Sequence, residues 1–464
     1  MIDTLESEWS QLIAWLEAEH VGIERHVEWK NVPGAGRGLF TTSDVSPGAT
    51  LLSIPFSALL NPLTLSSCSI PDRLFPRPTT ASHRSKRLRT SNPTSPRLNT
   101  TQLLTLHLAL TRDPHDRHPS KWAAYLDSLP QTFRPWHPLT WVIKPMLEAD
   151  RDGWVWWATL AKRLPKGAML KLEAVKKRYT ADLEVLQRVL MEEKPFDSQN
   201  LLKVITADVI LTAWLNINTR TVSIPLNLPA QSDLHNHTMV PILDSANHSS
   251  LPKIVIPRPR QVPSIKKGPL VPGRIGFKLV SPDQGMVAGE QVLFQYGAHS
   301  NDLLFAEYGF VETGGMHGSV DVEGVVRELW KKWDGRDDKE DVLKLIDCWG
   351  HNVIQAQPPP SHPSYGLLMT LRVLHLPDTS DKLSAIEQGR LSFISRNNEE
   401  AVSDSLRYIC ERVIRASRGG LRELEEASND DDDDVRQSAV EMVRTLWKEE
   451  GRIARECLKH LDIV

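Results

Sequence analysis

GEQVLFQYGAHSNDLLFAEYGFV, residues Gly289 to Val311, decides how this chain is read. Its first half, EQVLFQY, has the apolar density of a strand and ends on Tyr296-Gly297, which places a phenol at a backbone turn. Twelve residues later a second turn of the same kind, Tyr308-Gly309-Phe310, follows. About fifty residues upstream lies DSANH, Asp244 to His248, and near the N-terminus lies GAGRGLF, Gly34 to Phe40. A single Tyr-Gly turn is an ordinary core feature. Two of them in order behind a Gly-x-Gly and an Asn-His pair are a constellation.

Each part has a chemistry. The glycines of GAGRGLF let a backbone approach a ligand closely. Asn247 offers both an amide donor and a carbonyl acceptor, the pair needed by a ligand that carries an ammonium and a carboxylate. His248 taken by itself reads as a structural histidine. Strand character surrounds these segments: Val27 and Trp29 before the glycine turn, LLSIP at Leu51 to Pro55, NTRTVSIPL, and TMVPILD at Thr238 to Asp244. IGFKLV and EQVLFQY read as a strand pair about a Pro-Asp-x-Gly turn.

Composition bounds the rest. A chain of 464 residues suggests two domains or three. Its 40% hydrophobic and 24% charged residues are ordinary for a globular protein, and a net charge of −3 gives no global reason to expect nucleic acid as a partner. The four cysteines, Cys68, Cys348, Cys410 and Cys457, are isolated, which argues against a thiolate zinc cluster and against a disulfide framework. They read as small buried hydrophobes. The acidic, amphipathic N-terminus is unlike a signal peptide, and no apolar run approaches the ~20 residues that span a bilayer. A soluble protein of the cytoplasm or nucleus is expected.

Leu5, Trp9, Leu12, Ile13 and Leu16 repeat at helical spacing and predict an opening helix within residues 1–24. Helical patterns dominate 100–214, where Trp154, Trp156 and Trp157 read as packing in preference to a binding cage. Two basic stretches rich in proline and serine, 71–99 and 251–273, read as disordered loops. SKRLR, Ser85 to Arg89, is either a basic solvated loop or a nuclear-import signal. From 311 to 464 the chain is helical again, with breaks expected at Pro358 to Pro360, at Gly419-Gly420 and at the acidic run Asp430 to Asp434. That run reads as a loop feeding a helix N-terminus, with a docking site for a basic substrate as the alternative. The last helix carries the stripe Val435, Ala439, Met442, Val443 and Leu446.

The chain resembles the SET-domain protein methyltransferases of the Rubisco large-subunit methyltransferase type. The motifs above carry the resemblance, together with SKWAAYLDSLP and its following Phe133 and Pro135, WLNINTRTV at Trp214 to Val222, and the helical C-terminus. It implies an α+β fold: a SET domain of small β-sheets with a pseudoknot over 25–310, a helical insertion at 100–214, and an all-α substrate-binding domain over 311–464. It also implies transfer of a methyl group from S-adenosyl-L-methionine to a protein lysine, with no metal required. By the same resemblance Gly36, Arg37 and Gly38 border the cofactor, Arg220 meets it or holds its pocket, and Asn247 and His248 contact it. Tyr296 is the catalytic tyrosine beside the transferring methyl. Tyr308 lines the acceptor channel and shares the catalytic position, and Phe310 packs on adenine. Asp244 either lies near the substrate or orients Asn247.

Two departures stand out: Ala168 replaces an expected threonine in LPKGAML, and FQYG replaces the commoner F-x-SYG. An acceptor lysine must lose its proton, which at pH 7 costs roughly 4.6 kcal/mol from a pKa of ~10.4 and is eased by an apolar channel and a nearby cation. The expected target is a specific non-histone protein such as a ribosomal protein or translation factor, met by a monomer away from membranes. Histidine as acceptor and a non-catalytic binding module are the alternatives. Neither the target residue nor the number of methyl groups added follows from residue order.

Overall fold

The computed structural model describes residues 2–20, 23–65, 70, 74–75, 97–111, 120–145, 151–192, 205–224, 237–251, 256–260, 276–332, 337–377, 382–427 and 433–461. The chain opens with α1 (Ile2–Glu19), β1 (Glu24–Arg25), β2 (Val27–Val32), β3 (Gly36–Thr41) and β4 (Thr50–Pro55). Helices follow: α2 (Thr100–Thr111), α3 (Ala123–Asp127), α4 (Leu139–Val142), α5 (Arg151–Ala161), α6 (Lys166–Glu192) and α7 (Ala207–Arg220). Then come β5 (Thr221–Ser223), β6 (His237–Met239), a 3-10 turn at Leu243–Ser245, β7 (Asn247–His248), β8 (Ile256–Arg260), β9 (Gly276–Val280) and β10 (Gln291–Phe294). The remainder is α8 (Asn301–Tyr308), β11 (Ser319–Asp321), α9 (Glu323–Lys332), α10 (Asp337–Leu345), β12 (Val353–Gln355) and β13 (His362–Pro363). It closes with α11 (Tyr365–Leu374), α12 (Lys382–Glu387), α13 (Arg396–Ala427) and α14 (Asp434–Leu461). Of the expected disordered loops, most of 71–99, with SKRLR at 85–89, and residues 252–255 and 261–273 lie outside the described residues, as do Cys68 and Asp430.

Two units make up the chain, and neither is continuous in sequence. The first comprises Met1–Arg134, Pro145–Glu148 and Lys176–Tyr296; the second comprises Pro135–Lys144, Ala149–Val175 and Gly297–Val464. The second therefore draws in α4, α5 and the start of α6 from the helical insertion as well as the C-terminal helices.

The first unit holds two four-stranded sheets, ordered β1-β4-β9-β8 and β2-β3-β10-β7, and a two-stranded β5-β6 pair. The glycine motif forms the turn between β2 and β3, which pair from Val27↔Thr41 to Val32↔Gly36. Gly34 and Gly36 have φ of 76° and 73°, a left-handed conformation that glycine adopts without a side-chain penalty. β10 lies between β3, its antiparallel neighbour, and β7, its parallel neighbour, so late strands complete a sheet begun at the N-terminus.

Three expectations of this unit need correction. IGFKLV and EQVLFQY do not pair with each other: β9 joins β4 in one sheet and β10 joins β3 in the other. The connection between them is captured by earlier residues, with Met286 N–H donating to the Val45 carbonyl at 2.9 Å and Gly289 N–H to that of Thr41 at 2.8 Å. Ile256–Arg260, within the stretch read as a disordered loop, is a strand paired with β9. It is the edge strand of its sheet, where prolines such as Pro257 and Pro259 are tolerated because one face of an edge backbone needs no ladder donors. The strand expected across TMVPILD is also shorter, ending at Met239 before Pro241 and the positive φ of Ile242.

In the second unit a core of Val326, Leu329, Leu343, Ile354, Leu367, Leu371, Ile409 and Ile453 is drawn from α9, α10, α11, α13 and α14 and from β12 of the β11-β12-β13 sheet. Cys348, Cys410 and Cys457 are buried free thiols, as their isolation suggested. Trp157 packs on Trp156 and Trp141 at ring separations of 4.7 and 5.6 Å, and the Arg436 guanidinium lies 5.0 Å over Trp156, so Trp156 and Trp157 are packing groups. The break expected at Gly419-Gly420 is absent, since α13 runs through both glycines. The reason is packing: a Cβ on Gly420 would lie 2.2 Å from the Trp447 ring of α14. Gly420→Ala should gain up to about 1 kcal/mol of helix propensity, yet lose about 1–3 kcal/mol to overpacking, a net loss of stability readable in a chemical denaturation curve.

Candidate functional site

Asn247 and His248 are brought beside Tyr296 by the parallel β7–β10 pairing, in which Leu293 faces Asn247 and Phe294 faces His248. The Tyr296 N–H donates to His248 Nδ1 at 3.1 Å, which fixes that nitrogen as the acceptor. The two rings lie 5.1 Å apart, and Phe294 lies 5.0 Å from Tyr296 on another side. The Tyr296 hydroxyl donates to the Ala246 carbonyl at 2.9 Å. The phenol is thus held by ring packing and by the hydrogen bond to Ala246.

Asn247 reaches across to the glycine turn, its Nδ2 donating to the Arg37 carbonyl at 3.2 Å. Gly38 sits beneath this contact: a Cβ there would meet Val32 Cγ2 at 2.7 Å, Gln291 Nε2 at 2.9 Å and Asn247 Nδ2 at 3.2 Å. A Cβ at Gly34 or Gly36 would meet open space. The turn is therefore packed on one side and open on the other.

Arg37 is oriented by three groups: Nη1 donates to the Ser128 carbonyl at 2.5 Å, Nη2 pairs with Glu8 of α1, and the guanidinium stacks 4.7 Å over Trp29. Partial burial lowers its pKa, opposed by Glu8. Arg220, at the C-terminal end of α7, donates from Nη1 to the Asp244 carbonyl oxygen at 2.9 Å and approaches the Asp244 carboxylate at 3.5 Å. Its buried Nε has no hydrogen-bond partner among the described residues. The Asp244 carboxylate is 3% exposed and accepts a 3.0 Å hydrogen bond from the Tyr125 hydroxyl. Burial pushes its pKa up, while Arg220, Tyr125 and Arg37 pull it down. Asp244 is therefore an internal anchor of the 242–248 segment. That segment begins at Ile242, a β-branched residue held at φ 71°, where L side chains are strained.

Tyr308 and Phe310 belong to the second unit. Tyr308 is the last residue of α8, and its Gly309 is the helix C-cap at φ 82°, donating to the carbonyls of Leu304 and Phe305. A Cβ on Gly309 would lie 3.2 Å from His137, whose buried ring accepts from the Leu139 N–H and bonds the Glu307 carbonyl at 3.1 Å. Burial drives the His137 pKa down to about 4, so the ring is neutral at physiological pH. Tyr308 stacks against His299 at 6.1 Å and lies 6.2 Å from Phe310. Sequence reasoning did not single out Tyr125, Glu8 or Ser128. Tyr125 lay within SKWAAYLDSLP, but nothing in that stretch signals that its hydroxyl meets a carboxylate more than a hundred residues away.

A family model for the Rubisco LSMT substrate-binding domain matches residues 334–450. Human SET domain-containing protein 4 is 24% identical over 97% of this chain and 90% of its own length. The ribosomal lysine N-methyltransferase set11 of Schizosaccharomyces pombe is 22% identical over 69% of this chain and 65% of its own length. A crystal structure of the SET domain of LSMT bound to lysine and AdoHcy superposes with a TM-score of 0.63 at 19% identity, covering 99% of this chain and 92% of that one. The matched C-terminal segment, the threaded sheets and a likeness that runs along almost the whole chain give it the fold of LSMT and make it similar to the SET-domain protein-lysine methyltransferases of the Rubisco large-subunit methyltransferase type.

Proposed function

We propose that this chain is an S-adenosyl-L-methionine-dependent protein-lysine N-methyltransferase acting on one specific non-histone protein, a ribosomal protein or translation factor of the cytoplasm or nucleus. The observation that carries the reading is the Tyr296 hydroxyl, tied to the Ala246 carbonyl in the segment that also presents Asn247 and His248. The residues present fit the cofactor. Gly34 and Gly36 leave the turn open where a ligand would lie along its backbone, Asn247 supplies a polar amide beside it, and Arg220 supplies a cation whose buried Nε has no hydrogen-bond partner among the described residues. Gly36, Arg37, Gly38, Arg220, Asn247 and His248 are the residues that would hold it. Bound S-adenosylmethionine supplies an electrophilic methyl on a cationic sulfonium.

The protein's own part is positioning and electrostatics. Tyr296 directs its proton to the Ala246 carbonyl, and a phenol oxygen whose proton is so directed has the acceptor polarity that a neutral amine's N–H groups require. His248 holds the Tyr296 backbone N–H and so fixes where the phenol begins. The likeness to named ribosomal lysine methyltransferases of two yeasts supports a target in the translation machinery.

The test is to incubate the purified protein with labelled S-adenosylmethionine and a lysate of its source organism, beside Tyr296→Phe and Asn247→Ala. One labelled protein is expected, lost with both variants and carrying its methyl on lysine by peptide mass spectrometry. A methyl on histidine would replace the acceptor assignment. No label together with no cofactor binding by calorimetry would leave a binding module in place of an enzyme.

A further inference from the structure

We propose that Tyr125 is a positioning residue of the cofactor pocket, acting through Asp244 to set Arg220 and the 242–248 segment. The inference rests on the reading that this unit binds S-adenosylmethionine. Tyr125 is fully buried on α3 and points its hydroxyl at Asp244 Oδ2, 3.0 Å away. Arg220 makes its shorter contact to the Asp244 main-chain oxygen, at 2.9 Å, and only a 3.5 Å contact to the carboxylate. The phenol is therefore the short partner of that carboxylate. A neutral donor satisfies the anion without drawing the guanidinium fully onto it, and Arg220 Nε stays without a partner among the described residues. Remove the hydroxyl, and the buried carboxylate recruits Arg220 as its nearest remaining donor.

The same short helix controls the other arginine. Ser128, directly after α3, accepts from Arg37 through its carbonyl, and its hydroxyl ties back to the Tyr125 carbonyl at 2.6 Å. Downstream of Asp244 the effect reaches Ala246, whose carbonyl holds Tyr296, and Asn247, which holds the glycine turn. The charged and titratable groups around Asp244 are Arg220 of α7, Tyr125 of α3 and Arg37 of β3, with Glu8 of α1 paired to Arg37.

The experiment is calorimetric binding of S-adenosylhomocysteine to wild type, Tyr125→Phe, Asp244→Asn and the double variant across about pH 5 to 8. Tyr125→Phe should weaken binding about tenfold, and less than about twofold when Asp244→Asn is already present. The pH at which affinity declines on the acid side should move upward in Tyr125→Phe, because Asp244 has lost a donor that favours its anion. A purely structural role would give equal losses in both backgrounds and no movement with pH, and that result overturns the proposal. So does an affinity of Tyr125→Phe within about twofold of wild type. Should Tyr125→Phe fail to fold, Asp244→Asn alone decides: acid-side dependence lost supports the proposal, and dependence retained overturns it. Wild type that binds no S-adenosylhomocysteine would overturn the functional reading itself, and this inference with it.

Discussion

Tyr296→Phe is expected to cut methyl transfer by about 10²–10³-fold while leaving affinity for S-adenosylhomocysteine within about twofold of wild type. The substitution removes one oxygen and nothing else. The ring contacts to His248 and Phe294 survive, and so does the main-chain bond from Tyr296 to His248 Nδ1. The lost hydrogen bond to Ala246 costs about 1 kcal/mol of stability, too little to unfold the unit. Single-turnover transfer with saturating cofactor, beside calorimetric affinity, separates the two effects. A rate within about tenfold of wild type would reduce the hydroxyl to a structural tie on the 246 carbonyl.

The second large effect concerns a buried carboxyl of the second unit. Asp302 is buried in the first turn of α8 and shares its surroundings with Asp321, Glu449 and Lys171. A helix N-terminus favours an anion by about 0.3–1 kcal/mol, but burial among other carboxylates outweighs it and pushes the Asp302 pKa up to about 7. Glu449 and Glu450 move in the same direction, chiefly by burial. A carboxyl whose pKa is higher folded than unfolded contributes stability that is complete below its ordinary value of 3.8 and lost as pH rises through about 7. At about 1.4 kcal/mol for each pH unit, the loss has an upper bound near 4 kcal/mol. Asp302→Asn should therefore stabilise the protein by about 2–4 kcal/mol at pH 8 and by no more than about 1.6 kcal/mol near pH 5. Urea denaturation at the two pH values checks it, and a variant destabilised at pH 8 would show that the ionised carboxylate is a net asset there.

What the sequence disclosed, and what it withheld, follow one physical division. Tyr296, Asn247 and the glycine turn were legible because short-range rules mark them: an apolar run ending at Tyr-Gly, adjacent polar residues, and glycines where φ must be positive. The partner of each strand was not legible, because β9 and β10 have similar apolar runs and only the distant chain around Thr41 to Ala49 decides which sheet each joins. The second Tyr-Gly was visible as a turn, but its origin as a helix cap above a neutral His137 was hidden in an element far upstream. Gly419-Gly420 misled for the opposite reason. Local propensity predicts a break, and packing against Trp447 requires continuity. Tyr125 stayed unnoticed because a buried tyrosine and one that steers an arginine look identical until the carboxylate is in place.

The order β2-β3-β10-β7 also governs how the protein emerges from the ribosome. Phe40 finds its partner Gln291 only after about 250 further residues have been translated, so β3 carries an unpaired edge for most of synthesis. A nascent chain stalled before Gln291 contains the glycine turn and the Asn-His pair, yet lacks the strand that joins them. Such a fragment calls for chaperone cover, and products of this protein truncated C-terminally before Gln291 should aggregate where the full chain stays in solution.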